Sequence, residues 1–313
     1  MTTVLQLVED AAARLDAAGV AFGHGTTNAW DEAAWLVLWR LDLPLDDLDG
    51  VAARVVDAAG QAAVRALVDA RIASRKPAAY LTGEAWLQGI AFTVDERVIV
   101  PRSLIAEVIA DGTLDAWLAA DAARALDLCT GGGSLAVLAA LAWPALAIDA
   151  ADLCPDALAV AAINVRRHGL EGRVTLRQGD GLAAARGAYD LILCNPPYVN
   201  RVAMDALPPE YRAEPALALD GNREGGRDGM DFVRRLLAGV APHLGPQGVL
   251  VLEIGHERAH FDAAFPRLEA VWLPTSAGDD QVLLLTREAL AGDAATAIRS
   301  DGSTPAAGRK GRA

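Results

Sequence analysis

Between residues 123 and 195 short apolar runs alternate with helix-patterned stretches: ARALDLC, SLAVLAALAW, ALAIDAAD, PDALAVAAINVRRHG, RVTLRQGD and YDLILCN. Strands separated by helix-length inserts cannot pair as hairpins. They pair in parallel through crossovers that lay helices on the sheet, so this alternation predicts βαβ units and an α/β domain. Further on, GVLVLEIG reads as one more strand, and EAVWLP and QVLLLTRE have no helix-length insert between them. These last two are expected to form a hairpin at the sheet's edge.

The chain before this region has a different texture. VLQLVEDAAARL, AWDEAAWLVLWRL and VVDAAGQAAVRALVDARIA carry apolar residues at three-to-four spacing, which predicts helices over residues 1–75. EAWLQGIAFTVDERVIVPR is rich in β-branched and aromatic residues and reads as a hairpin turning near Gly89. The expected organisation is therefore a helical domain over 1–75, a β-hairpin linker over 76–102, an α/β domain over 103–290 and a disordered tail over 291–313, where Ala, Gly, Ser and Pro dominate.

Bulk properties narrow the function. Lys and Arg number 28 against 41 Asp and Glu, a net charge of -13, which repels phosphate backbones and argues against tight unaided nucleic-acid binding. The same field attracts basic proteins. No apolar run reaches the roughly 18 residues that span a bilayer, and the N-terminal stretch lacks the basic and apolar regions of a secretion signal, so a cytoplasmic protein is expected. Cys129, Cys154 and Cys194 cannot pair completely and lack metal-site spacing, which predicts reduced thiols.

Three segments carry chemistry. In LDLCTGGGSLAV, Asp127 closes a strand, and Gly131 to Gly133 lead into a helix, a turn that lets a ligand approach the backbone and meet a helix N-terminus. Gly131, Gly133 and Ala136 also satisfy the dinucleotide pattern, with the acid Asp152 about 20 residues on. Asp127 separates the two readings. Its carboxylate would sit badly beside a pyrophosphate but pairs well with the ammonium of S-adenosylmethionine. Asp152, at the end of the next strand, can accept both ribose hydroxyls, and Asp180, read as the end of the third strand, is placed to accept from the adenine amino group or to cap a turn.

HERAH, residues 256–260, is a literal H-E-x-x-H, but it directly follows a strand and no further histidine follows it. A solvated helix turn is the better reading than zinc, and no metal is expected. In LILCNPPYVN the prolines end a buried strand, leaving Asn195, the Pro196 carbonyl, Pro197 and Tyr198 in a rigid loop. Asn195 and the Pro196 carbonyl can hold both hydrogens of an –NH2 group, with Tyr198 packed on its flat face. The acceptor is thus an amide or a nucleic-acid base.

The series VDERVIVPRS, LDLCTGGG, ADLCPDALAVAAINVRRHGL, GDGL, YDLILCNPPYV and LPPEYRAEPALALDGN resembles the class I S-adenosylmethionine methyltransferases, and among them the protein-glutamine N5-methyltransferases, over about residues 70 to 290. The release-factor branch of that family usually reads Pro-Arg-Pro-Glu-Thr-Glu after its connecting strand. Here Pro101-Arg102-Ser103 is followed by Leu104, Ile105, Ala106 and Glu107, which looks like the branch that modifies a large-subunit ribosomal protein. The resemblance implies a seven-stranded sheet of order 3-2-1-4-5-7-6 with a small N-terminal helical domain that recognises substrate. It implies S-adenosylmethionine as cofactor, held by Asp127, Cys129, Gly131 and Gly133 on the methionine side, Asp152 at the ribose, Asp180 at the adenine edge, and Asn195 between cofactor and substrate. Asn195, Pro196, Pro197 and Tyr198 would hold the glutamine. The implied partner is a large-subunit ribosomal protein, with no direct DNA binding and no membrane.

Overall fold

The computed structural model describes residues 1–291, so the expected tail, past Ala291, lies outside the described residues. Helices α1 (Val4–Ala17), α2 (Ala29–Arg40), α3 (Leu48–Val51) and α4 (Ala58–Ser74) fill the N-terminal part. Thr3 starts α1 with a reciprocal capping box to Gln6, and Asn28 and Asp57 cap α2 and α4 with their side-chain oxygens, satisfying amides that helix geometry leaves orphaned. Their apolar stripes meet in one core that includes Leu7, Leu15, Val37, Leu38, Val64 and Val68.

After α5 (Ala78–Thr82) the chain forms the antiparallel pair β1 (Glu84–Leu87) and β2 (Ile90–Thr93). Gln88 and Gly89 both take positive φ, 51° and 74°, as a two-residue hairpin turn requires.

The large sheet contains β3 (Arg124–Leu128), β4 (Ala147–Asp152), β5 (Val174–Gln178), β6 (Tyr189–Cys194), β7 (Leu244–Glu253), β8 (Val271–Thr275) and β9 (Gly278–Thr286). Their order is β5-β4-β3-β6-β7-β9-β8, which is 3-2-1-4-5-7-6 when the sheet is counted alone. The first five pair in parallel, and β9 runs antiparallel to both β7 and β8. Helices α6 (Ile105–Ala110), α7 (Ser134–Ala142) and α8 (Pro155–Arg167) lie on one face. The short α9 (Arg201–Ala206), α10 (Pro209–Arg212) and α11 (Ala216–Leu219) follow β6, and α12 (Asp231–Gly239), α13 (Arg258–Ala264) and α14 (Arg287–Ala291) complete the helices among the described residues.

Strand periodicity divides β3 between the two faces. Ala125 joins the core with α6 and α7, while Leu126 and Leu128 join the core with α12 and Phe261 of α13. Asp127 therefore points to the α7 side. From β3 the chain goes outward to β4 and β5, then crosses to β6. The order reverses between β3 and β6, and the crevice at their C-terminal ends is where open α/β sheets bind ligands.

Candidate active site

The glycine-rich turn is shaped by positions that side chains rarely tolerate. Cys129, Gly131 and Gly133 have φ of 58°, 54° and 81°, all left-handed. A Cβ on Gly131 would meet nothing within 4 Å, whereas one on Gly133 would lie 3.1 Å from Ala161 Cβ. Gly131 thus keeps the backbone open, and Gly133 lets α7 pack against α8. Asp127 is buried beneath this turn. Its Oδ2 accepts from Thr130 Oγ1 at 2.5 Å and from the Ala136 amide at 3.0 Å, and its Oδ1 is buried with no hydrogen-bond partner. Burial, outweighing those two bonds, pushes its carboxyl up to about 7.

Asp152 closes β4. One oxygen accepts from the Gly131 amide at 2.9 Å and the other from the Cys154 amide at 2.8 Å, so each keeps acceptor capacity. Burial raises its pKa despite these bonds.

A cleft with about 260 Å³ of free volume opens over these strand ends. Of the residues expected from the sequence, Cys129, Gly131, Asp152, Asp180, Asn195 and Pro197 line it, while Asp127, Gly133, Pro196 and Tyr198 are not among its lining residues. Asn195 follows the last residue of β6 and is half-buried. Its amide makes no hydrogen bond among the described residues, in contrast to the neighbouring Asn200, which caps α9 and donates to Glu257. Asp180 differs from the expectation: β5 ends at Gln178, and Asp180 stands at the start of a short 3-10 turn over Gly181–Ala184 without a side-chain capping bond. Both its oxygens face Arg235, at 3.0 and 3.2 Å. A Cβ on Gly179 would lie 2.9 Å from Ala184 Cβ, so the chain turns there more tightly than its residue pattern suggests.

Tyr198 packs against the core at the end of β7. Its hydroxyl donates to Glu253 Oε1 at 3.2 Å, and its ring passes so close to Gly255 that a Cβ there would fall 2.6 Å from it. The adjoining loop is clamped in turn. Val199 bridges Asp220, Asn222 donates to the Val199 carbonyl at 2.9 Å, and a Cβ on Gly229 would fall 2.0 Å from the Tyr198 carbonyl oxygen. Residues 215–224 thereby reach the cleft, through Pro215, Leu217, Ala218 and Arg223 among others, and Phe232 walls it near Gly181. Sequence reasoning assigned these residues no role. The signal was present in DGNREGGRDGM, a glycine-dense stretch close behind the Asn-Pro-Pro-Tyr loop.

HERAH is structural here. His256 is exposed, Glu257 accepts from Asn200 Nδ2 at 2.7 Å, and His260 pairs with Glu257 at 2.5 Å. No group of three or more His, Cys, Asp or Glu is arranged to hold a metal among the described residues.

A parallel sheet with an antiparallel edge hairpin, a glycine turn after its first strand and an Asn-Pro-Pro-Tyr exit after its fourth define a class I methyltransferase. A methyltransferase small domain model matches residues 112–207. The chain is 56% identical over 295 residues to the ribosomal protein uL3 glutamine methyltransferase of Bordetella pertussis, covering 93% of this chain and 97% of that protein. The protein of the same name from Burkholderia pseudomallei is 50% identical over 293 residues, covering 90% and 94%. Among solved structures, a Pyrococcus furiosus methyltransferase aligns with a TM-score of 0.47 at 19% identity, over 64% of this chain and 90% of that one. The chain belongs to the ribosomal protein uL3 glutamine methyltransferase family.

The cleft fits the methyl donor of such enzymes. Asp152 lines it and offers two oxygens with acceptor capacity, and behind the glycine turn Asp127 keeps a buried Oδ1 with no hydrogen-bond partner.

Proposed function

We propose that this chain transfers the methyl group of S-adenosylmethionine to the side-chain amide nitrogen of a glutamine in ribosomal protein uL3, in the cytoplasm. The observation that carries this reading is end-to-end identity: the uL3 glutamine methyltransferases match more than 90% of their own length, N-terminal helices included. Residues 1–75 are then the substrate-recognising part. No helix among the described residues is long and apolar enough to cross a membrane.

S-adenosylmethionine supplies an electrophilic methyl when bound. The chain's part is to make an amide nitrogen nucleophilic, although its lone pair is delocalised into the carbonyl. Asn195 Oδ1 and the Pro196 carbonyl are the acceptors for the two amide hydrogens, so the lone pair turns toward the methyl, and one of these two hydrogens leaves the methylated nitrogen as a proton to solvent. The prolines make the loop stiff, which keeps these acceptors preorganised. Asp152 and Gly131 hold the donor side, and Asp127 balances its ammonium. The test is to incubate the enzyme with methyl-labelled S-adenosylmethionine and ribosomal extract and locate the label by mass spectrometry. Label is expected on one uL3 glutamine, reduced by a factor of about 100 in Asn195→Ala with cofactor affinity little changed. Label in RNA, or faster labelling of a release factor, would overturn the substrate assignment.

A further inference from the structure

The end of β7 holds a carboxylate for which the proposed reaction has no use so far. Glu253 is 4% exposed, and no Lys, Arg or His forms an ion pair with it among the described residues. A buried carboxylate without a cation is costly unless its lone pairs are filled by donors. Here they are filled from two directions. Oε2 accepts from Ser103 Oγ at 2.5 Å and from the Leu104 amide at 2.9 Å, and Oε1 accepts from Tyr198 Oη at 3.2 Å.

The register explains why this residue is available to Tyr198. In the parallel pairing of β6 and β7, Cys194 sits opposite Leu252, so Glu253 is opposite the point where Asn195 leaves the sheet. Ser103 and Leu104, ahead of α6, pin the carboxylate from the far side. Gly255 leaves room for the Tyr198 ring. The phenol is thus located by three fixed elements: the end of β7, the entry to α6 and the glycine turn at Gly255. Phenylalanine would fill the same apolar space without requiring a buried carboxylate, so the hydroxyl is what Glu253 is there to hold.

We infer that Glu253 is a positioning residue for methyl transfer, acting through the Tyr198 hydroxyl to fix the Asn195-Pro196-Pro197-Tyr198 loop against the substrate amide. This rests on the glutamine reading above. Residues 219–229 clamp the backbone of this loop, and the Tyr198 hydroxyl is its side-chain tie to β7; losing that tie lets the ring shift, and loss of alignment lowers the rate of transfer while leaving the cofactor side of the cleft untouched.

The test is a double-mutant cycle with uL3 as acceptor. Glu253→Gln and Tyr198→Phe should each lower kcat by about 10-fold or more, with the Kd for S-adenosylmethionine within about twofold of wild type, and the double variant should be no worse than the more damaged single variant. Multiplied losses in the double variant, or a Glu253→Gln enzyme with normal kcat, would overturn the inference. Should Glu253→Gln not fold, Ser103→Ala leaves the carboxylate in place and loosens it; its kcat loss must vanish in the Tyr198→Phe background, and persistence there would equally overturn the inference. A second readout needs no acceptor. The Tyr198 C–O stretch, isolated as the infrared difference between wild type and Tyr198→Phe, should shift in Glu253→Gln, and an unshifted band would overturn the coupling. Failure of the wild-type enzyme to label uL3, together with the band shift in Glu253→Gln, would overturn the glutamine reading and leave the Glu253–Tyr198 coupling standing.

Discussion

Asp127 illustrates how one residue can carry both a fold and a site. The sequence marked it as an acid at a strand's end, and strand periodicity explains why it faces α7, where one oxygen ties Thr130 and Ala136 together. Its burial was not legible, because a carboxylate before a glycine turn reads the same whether wet or dry. Burial raises its pKa to about 7, above the ordinary carboxyl value, so the folded protein binds a proton that the unfolded chain has released. Its contribution to stability is complete below about pH 4 and is lost as pH rises through about 7. Asparagine keeps an acceptor for Thr130 and Ala136 and carries no charge. The melting temperature of Asp127→Asn, measured against wild type, is therefore expected to gain on it between pH 5 and pH 8. Calorimetry should show S-adenosylmethionine binding about tenfold weaker or worse, from loss of a charged hydrogen bond. Unchanged affinity would leave Asp127 a structural residue alone. Asp180 shows the opposite failure of legibility. RVTLRQGD does not reveal where pairing stops, and Arg235, which engages Asp180, is 55 residues away in sequence.

At the scale of elements, connection length made the sense of pairing legible: helix-length inserts pointed to parallel strands and the short gap between β8 and β9 to a hairpin, while the strand order came from the family resemblance and agrees with the observed one. What could not be read is how the helical part is joined to the rest. Residues 209–214, PEYRAE, plug into the junction. Glu210 meets Arg75 at 2.6 Å and the fully buried Arg71, which also pairs with Glu32 at 2.8 Å; Tyr211 packs on His24 with centroids 4.2 Å apart and ring planes tilted by 48°; Glu214 takes Arg102 at 2.6 Å. Against its burial, His24, whose Nε2 lies 3.4 Å from it, and the charge of Arg102 bring Glu214 down to about 2, so its contribution is retained above the ordinary carboxyl range and lost as pH falls toward about 2. In sequence, Arg71 looks like any basic residue on a solvated helix. Gly23 is the tightest point of the junction, with φ of 120° and a Cβ that would lie 2.1 Å from Tyr211 Oη. Gly23→Ala is expected to destabilise the protein by about 2 kcal/mol or more in denaturant melts. Adding Tyr211→Phe, which removes the clashing oxygen, should recover part of the loss and leave the share due to φ. Equal melts for Gly23→Ala and wild type would mean that the plug is loose in solution.

At the scale of the molecule, composition said something that the fold alone does not: a net charge of -13 sets what the enzyme meets easily. The junction also changes how the helical part can be tested. Deleting residues 1–70 would remove Glu32 and His24 and leave the buried Arg71 and Glu214 short of partners, so loss of activity would report a damaged junction as readily as lost recognition. Ionic strength perturbs recognition without cutting the chain. Ribosomal proteins that bind RNA are basic, and an acidic enzyme draws a basic protein through a field that salt screens within about 8 Å at 0.15 M. The internal pairs of the junction are buried and resist that screening. Raising salt from about 50 to about 300 mM is therefore expected to lower kcat/KM for uL3 by roughly tenfold, with kcat and the Kd for S-adenosylmethionine nearly constant and the thermal melt unmoved. The measurement is steady-state transfer at matched cofactor saturation. A flat kcat/KM would mean that uL3 is recognised by short-range contacts alone, whereas a parallel fall in kcat would locate the salt-sensitive step in the cleft and not in the encounter.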